Sequence, residues 1–211
     1  SSFTIGVSAK VYLNVGNYTI TKGIKAPKNF ILIGADKDKT IIKLNDNVSK
    51  QNMSYPHVRM FVDNYWSNLF VIKDLTLDGN WDGQGVDKLN GNFKIEPIVI
   101  QATRSKAKNI KVINFGANGK DHGNNGLECF PLSFLTYSNG DPFKYFPAFK
   151  GWENKEDQTF IEVSDCDVSS GFFVNGGYCT AIFVRTNNPG DRQPCGARTT
   201  IAGLIQNNVV S

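Results

Sequence analysis

In the segment GANGKDHGNNGLE, Asp121 and His122 stand side by side and Glu128 follows shortly after. An imidazole beside carboxylates can take up or deliver a proton near neutral pH. A pair of carboxyl groups is what glycoside hydrolysis needs, one to protonate the leaving oxygen and one to attack or to activate water. Asp121, His122 and Glu128 are therefore the candidate acid–base residues. A plain Asn-Gly turn with His122 at the surface accounts for the same residues.

Two further stretches carry chemistry-bearing side chains. The stretch DGNWDGQGVDKLNGNFKIE places Asp78, Asp82 and Asp87 among glycines. Oxygen ligands this close could hold Ca2+, with Asp78 and Asp82 as the candidate metal ligands, although the spacing lacks the full EF-hand pattern. A solvated polar turn is the competing account. The run DPFKYFPAFKGW brings Phe143, Tyr145, Phe146, Phe149 and Trp152 together with Lys144 and Lys150. Tyr145, Phe146 and Trp152 suit stacking on the apolar faces of sugars, and Lys144 suits an acidic group on them. The alternative is that a long loop needs its own small core and these rings fill it. Arg59, Arg104 and Arg185 fall at the ends of strand candidates. Arg59 is read as a substrate contact, while each arginine could instead pair with a nearby carboxylate, Arg185 with Asp191 for example.

These residues must be positioned by something, and composition points to strands. The chain has 211 residues, with 20 glycines and 15 phenylalanines in an Asn-rich background, a mix that favours strands and turns within one domain spanning 1–211. The net charge of +4 is spread without a basic block, so no dedicated nucleic-acid surface is indicated. No apolar run is long enough for a membrane span, and the first residues lack a signal-peptide pattern. Strand-like residues run to the final position, so the chain reads as a fragment of a longer one. The four cysteines, Cys129, Cys166, Cys179 and Cys195, lack the close pairing of a zinc site. Buried free thiols are preferred to one or two disulfides. Sequons at Asn17, Asn47 and Asn52 are short patterns that an Asn-rich chain produces by chance.

Self-similarity decides the architecture. NLFVIKDLTLDG, NIKVINFGANG, TFIEVSDCDVSSG and TIAGLIQNNVVS each carry alternating apolar residues, a small polar hinge and a second short alternation. The hinges Asp74, Asn114, Asp165 and Asn207 recur about every forty residues and suit a sharp left-handed bend. Val71, Val112, Val163 and Ile205 are expected to stack inward as one apolar column. Between the hinges, 58–62, 97–101, 127–132 and 180–184 supply further strands. The expected fold is all-β, a right-handed parallel β-helix, that is a single-stranded solenoid of about five turns with long loops on one side. A β-sandwich would want tight hairpins instead of repeats.

The opening VYLNVGNYTITKGIKAPKNFILIGADKDKTIIKL, and LTLDGN after it, resemble the first turns of pectate lyase-like parallel β-helix domains, a type also found in phage tail spikes. The resemblance covers roughly the first eighty residues by motif and the remainder by repeat pattern. It implies polysaccharide lyases, glycoside hydrolases, epimerases or viral tail spikes, all working on long sugars. In such lyases Ca2+ binds a uronic acid, which would fall to Asp78 and Asp82, and an Arg or Lys abstracts the proton, which makes Arg104 and Arg185 candidate bases. Asp-His-Gly at 121–123 is similar to the Gly-His-Gly of polygalacturonases, whose Asn-Thr-Asp, paired-Asp and Arg-Ile-Lys motifs are absent here.

Two functions follow. One is a lyase or hydrolase acting on an extracellular, acidic polysaccharide. The other is a non-catalytic or weakly catalytic glycan-binding tail spike or adhesin segment, a homotrimer if a spike. Either works outside the cell, secreted or on a virion surface.

Overall fold

A computed structural model describes residues 8–27, 29–48, 57–63, 67–88, 93–119, 128–137, 160–187 and 202–211. In chain order the strands are β1 (Ser8–Leu13), β2 (Gly16–Ile20), β3 (Ile24–Ala26), β4 (Asn29–Gly34), β5 (Thr40–Leu44) and β6 (His57–Asp63). The middle of the chain supplies β7 (Ser67–Asp78), β8 (Phe93–Ile113), β9 (Phe115–Asn118), β10 (Glu128–Cys129) and β11 (Leu132–Tyr137). Then follow β12 (Phe160–Ser164), β13 (Asp167–Val168), β14 (Gly171–Val174), β15 (Tyr178–Cys179), β16 (Ile182–Asn187), β17 (Ala202–Gln206) and β18 (Val209–Val210). The protein is all-β with parallel sheets. Among the described residues a 3-10 stretch, kinked at Gly85, spans Trp81–Lys88. No helix among the described residues is long and apolar enough to cross a membrane.

Three parallel ladders organise these strands. The first runs β1, β4, β7, β8, β12, β17. The second runs β2, β5, β7, β8, β13, β18. The third runs β3, β6, β8, β11, β16. Shorter pairs, β9 with β14 and β10 with β15, sit beside them, and β8 meets β9 antiparallel. Every strand of the long ladders therefore pairs with its counterpart one repeat on, as the sequence repeat predicts.

The polar hinges do adopt the left-handed conformation, with φ of 58° at Asp74, 54° at Asn114, 57° at Asp165 and 54° at Asn207. Their stacking differs from expectation. Lys73 pairs with Lys108 and Leu75 with Ile110, so the neighbour of Asp74 is Asn109, itself at φ 50°. Asp165 and Asn207 continue that corner. Asn114 belongs to a second corner, beside Ser170 at φ 58°. The sequence NIKVIN holds an Asn at each end of a five-residue step, and matching residue type alone selects the wrong one. The corner spacing is 35 residues from Asp74 to Asn109, 165 − 109 = 56 to Asp165, and 42 to Asn207. Side chains bridge consecutive levels there. Asn109 Nδ2 donates to Asp74 Oδ1 at 2.8 Å and Asn207 Nδ2 to Asp165 Oδ1 at 3.1 Å. Each bond offsets part of the cost of the left-handed backbone.

The inward column also needs correction. Val71 is half-buried and pairs with Lys106 on the outer face, while its neighbours Phe70 and Ile72 are fully buried. Successive side chains of a strand alternate between faces, so a one-residue shift in assignment exchanges inside and outside. The first column is Val11, Leu32, Ile72, Ala107, Val163, Ile205. Val112 stands in a second column, Tyr18, Ile42, Leu77, Val112, Val168, Val210. Toward the beginning of the chain Phe30, Phe61 and Phe70 fill the interior with ring centroids 5.9 to 6.5 Å apart. Cys129, Cys166 and Cys179 are free thiols, the first two buried; Cys195 lies outside the described residues.

Candidate functional site

Of the residues singled out from sequence, the structure links Arg59 and Glu128, through two residues that the sequence reading passed over. In the third ladder Arg59 pairs with Glu96, and Lys94 lies two residues before Glu96 on the same side of β8. Glu96 is fully buried and each of its oxygens accepts a bond. Lys94 Nζ donates to Oε1 at 2.6 Å and Arg59 Nε to Oε2 at 3.1 Å. Lys94 Nζ also donates to the Glu128 carbonyl at 2.9 Å and lies 5.4 Å from the centre of the Phe130 ring. The Glu128 carboxylate accepts from Thr180 Oγ1 at 2.5 Å and from Tyr178 OH at 3.2 Å, across the register pair Glu128–Tyr178. Phe130 packs on Phe183 with centroids 4.4 Å apart.

A buried carboxylate between two cations is strongly held, since removing either partner would strand a charge away from water. The open members of the network are Arg59, whose side chain is 42% exposed, and Tyr178, 46% exposed. With its Nε tied to Glu96, the guanidinium of Arg59 has a set plane. A planar donor fork held this way suits an oxyanion, and Tyr178, three strands along at the far end of the network, suits the face or hydroxyls of a sugar. Beneath the network Cys129 Sγ donates to the Ile95 carbonyl at 3.1 Å. Burial first, then the charge of Glu96, pushes the Cys129 thiol well up. Cys179, its register partner, is pushed up to about 11 by burial and the charge of Glu128. Neither is a ready nucleophile.

The remaining sequence candidates fall elsewhere. Asp121, His122, Lys144, Tyr145, Phe146 and Trp152 lie outside the described residues. Arg104 is exposed on β8, in register with Leu69 and Phe160 of the first ladder. Arg185 lies on β16, opposite Leu135 in the third. Asp78 is buried, and its Oδ1 accepts from the Asn80 backbone N–H at 2.8 Å and from Asn114 Nδ2 at 2.9 Å, which makes it a corner brace. Asp82 is exposed, on the 3-10 segment. Among the described residues no group of three His, Cys, Asp or Glu side chains converges.

The chain is similar to pre-neck appendage proteins of Bacillus phages. It is 30% identical over 165 residues to that of phage B103, covering 76% of this chain and 17% of the relative. It is 28% identical over 120 residues to those of phages PZA and phi29, covering 56% of this chain and 14% of each relative. The chain thus spans less than a fifth of the length of these curated relatives. No protein family matches it, pectate lyases included, and no solved structure does.

Lys94, Glu96, Phe130, Tyr178 and Thr180 were missed because the bonds that unite them with Arg59 and Glu128 join residues 34 to 52 positions apart. The only sequence signal was Lys-x-Glu in a strand, which sets opposite charges on one face.

Proposed function

We propose that this chain is a length of a phage appendage, borne on the virion surface in a multi-copy assembly, that grips an acidic host-surface polysaccharide without cutting it. The observation that carries this is the similarity to pre-neck appendage proteins over three quarters of the chain. The ladders are proposed to close into a right-handed parallel β-helix. Three ladders sharing β8, with each strand repeating one level on, support that closure, and right-handed crossover is the near-universal choice for parallel strands. Contact with the glycan is assigned to Arg59 and Tyr178, held by Glu96, Lys94 and Glu128, with the aromatic run containing Tyr145, Phe146 and Trp152 as a second contact.

The carboxylates support recognition better than catalysis. All four oxygens of Glu96 and Glu128 already accept bonds, from Lys94, Arg59, Thr180 and Tyr178. The test is to incubate the chain with acidic and neutral polysaccharides, with and without calcium, following unsaturated ends and reducing ends beside direct binding. The expected result is retention of an acidic polymer with no new ends. Arg59→Ala should weaken binding about tenfold, or about 1.4 kcal/mol. New chain ends would establish an enzyme, and absence of binding to every polymer would end the recognition reading.

A further inference from the structure

Cys129 and Cys179 are a register pair on the short parallel ladder of β10 and β15, although they stand 179 − 129 = 50 positions apart in the chain. In-register residues of neighbouring parallel strands have Cα atoms about 4.8 Å apart and send their side chains to the same side. A disulfide spans Cα separations of about 4.4–6.8 Å, so the pair stands within bridging range. Cys129 is fully buried, and Cys179 packs against the same core. The bond that Cys129 Sγ makes is a weak one, to the Ile95 carbonyl at 3.1 Å, and a turn about χ1 exchanges it for Cys179. Cys166 stands apart from this pair, with its sulfur donating to the Ser164 and Ala107 carbonyls.

We propose that Cys129 and Cys179 close to a disulfide between successive levels when the folded chain meets low-molecular-weight disulfides. One cysteine thiolate attacks the small disulfide RSSR and releases RS−. The other thiolate then attacks the cysteine sulfur of the mixed disulfide and releases the second RS−. Two protein thiols are oxidised to one S–S bond, RSSR is reduced to two RSH, and the two cysteine protons end on the leaving thiolates. Burial, with Glu96 near Cys129 and Glu128 near Cys179, keeps both thiols protonated, so closure is slow. The bond staples two strands that are otherwise joined through two register pairs. It also fixes Glu128 against Tyr178, the residues next to the cysteines, whose side chains already share a hydrogen bond. The staple follows from the register alone and is independent of glycan recognition.

The experiment incubates the folded chain in glutathione buffers from fully reduced to fully oxidised, quenches with acid, alkylates the remaining thiols and digests without reduction. The expected product by mass spectrometry is a cross-linked peptide pair holding Cys129 and Cys179, with Cys166 still alkylated. The oxidised chain should melt roughly 5–10 °C above the reduced one. Cys179→Ser should abolish both the cross-link and the rise, and Cys166→Ser should leave both unchanged. Four free thiols at the most oxidising ratio overturn the proposal, as do glutathione adducts in place of the cross-link or a cross-link that takes Cys166 or Cys195 as partner. A bond between Cys129 and Cys179 that forms only in urea, or that lowers the melting temperature, overturns it too.

Discussion

Single residues pin the corners of this protein. Asn109 sits at φ 50° and gives its side-chain N–H to Asp74. Asn109→Ala loses both the tolerance of that backbone and the bond, and should lower unfolding free energy by about 1–2 kcal/mol in urea titration. Asn109→Gly keeps the backbone freedom and should lose less; if the two variants are equally destabilised, the left-handed corner is not what matters. Glu162 reports another residue-scale effect. Burial would raise its carboxyl, but hydrogen bonds from Lys106 and Ser164, with the charges of Lys106 and Lys108, outweigh that and hold it below the usual range. A carboxyl depressed in the folded state contributes stability above its unfolded pKa, and that contribution is lost as pH falls through the folded value. Melting temperature should therefore decline as the solution is acidified below about pH 4.5, and Glu162→Gln should flatten that decline while lowering stability at neutral pH. An unchanged acid limb in the variant would show that other carboxylates account for it.

At the scale of elements, β7 tests which face is inside. Ile72→Ala removes a fully buried side chain between Leu32 and Ala107 and should cost about 2–5 kcal/mol. Val71→Ala, on the outer face, should cost less than half as much by the same denaturant titration; the reverse order would restore the column expected from sequence. Close stacking also limits side chains where backbones meet. A Cβ on Gly116 of β9 would overlap the Phe172 carbonyl oxygen and lie 3.1 Å from the Trp81 ring. The Trp81 ring stacks on Phe172 at 6.1 Å with a 4° interplanar angle. Gly116→Ala should destabilise the chain by about 1–3 kcal/mol and disturb that stack, seen as a shift in tryptophan emission.

For the molecule as a whole, depth of burial sets the order in which interior groups are reached. Cys129 is fully buried under the charged network, whereas Cys179 is half-buried on the strand paired against it. Native-state alkylation at neutral pH, mapped by peptide mass, should modify Cys179 first and Cys129 only on a timescale of larger opening. Equal rates would mean that the chain opens as one unit.

Residue types and their period were enough to establish an all-β chain of parallel, repeating strands with left-handed Asp and Asn hinges, because alternation and hinge chemistry are local properties that each segment carries in itself. Asp74, Asp165 and Asn207 were legible for that reason. Tertiary structure decided which hinge stacks on which, Asn109 in place of Asn114, and which face of β7 turns inward, because register is a relation between segments some 35 to 56 residues apart. The site followed the same division. Arg59 could be nominated from its place at a strand end and Glu128 as a carboxylate near Asp121 and His122, but their union through Lys94 and Glu96 exists only once β6 lies against β8 and β10 comes beside β8. Lys94 and Glu96 share a face within one strand and could be paired from sequence, whereas the bonds to Arg59 and Glu128 join residues 37 and 34 positions away and arise only from the fold.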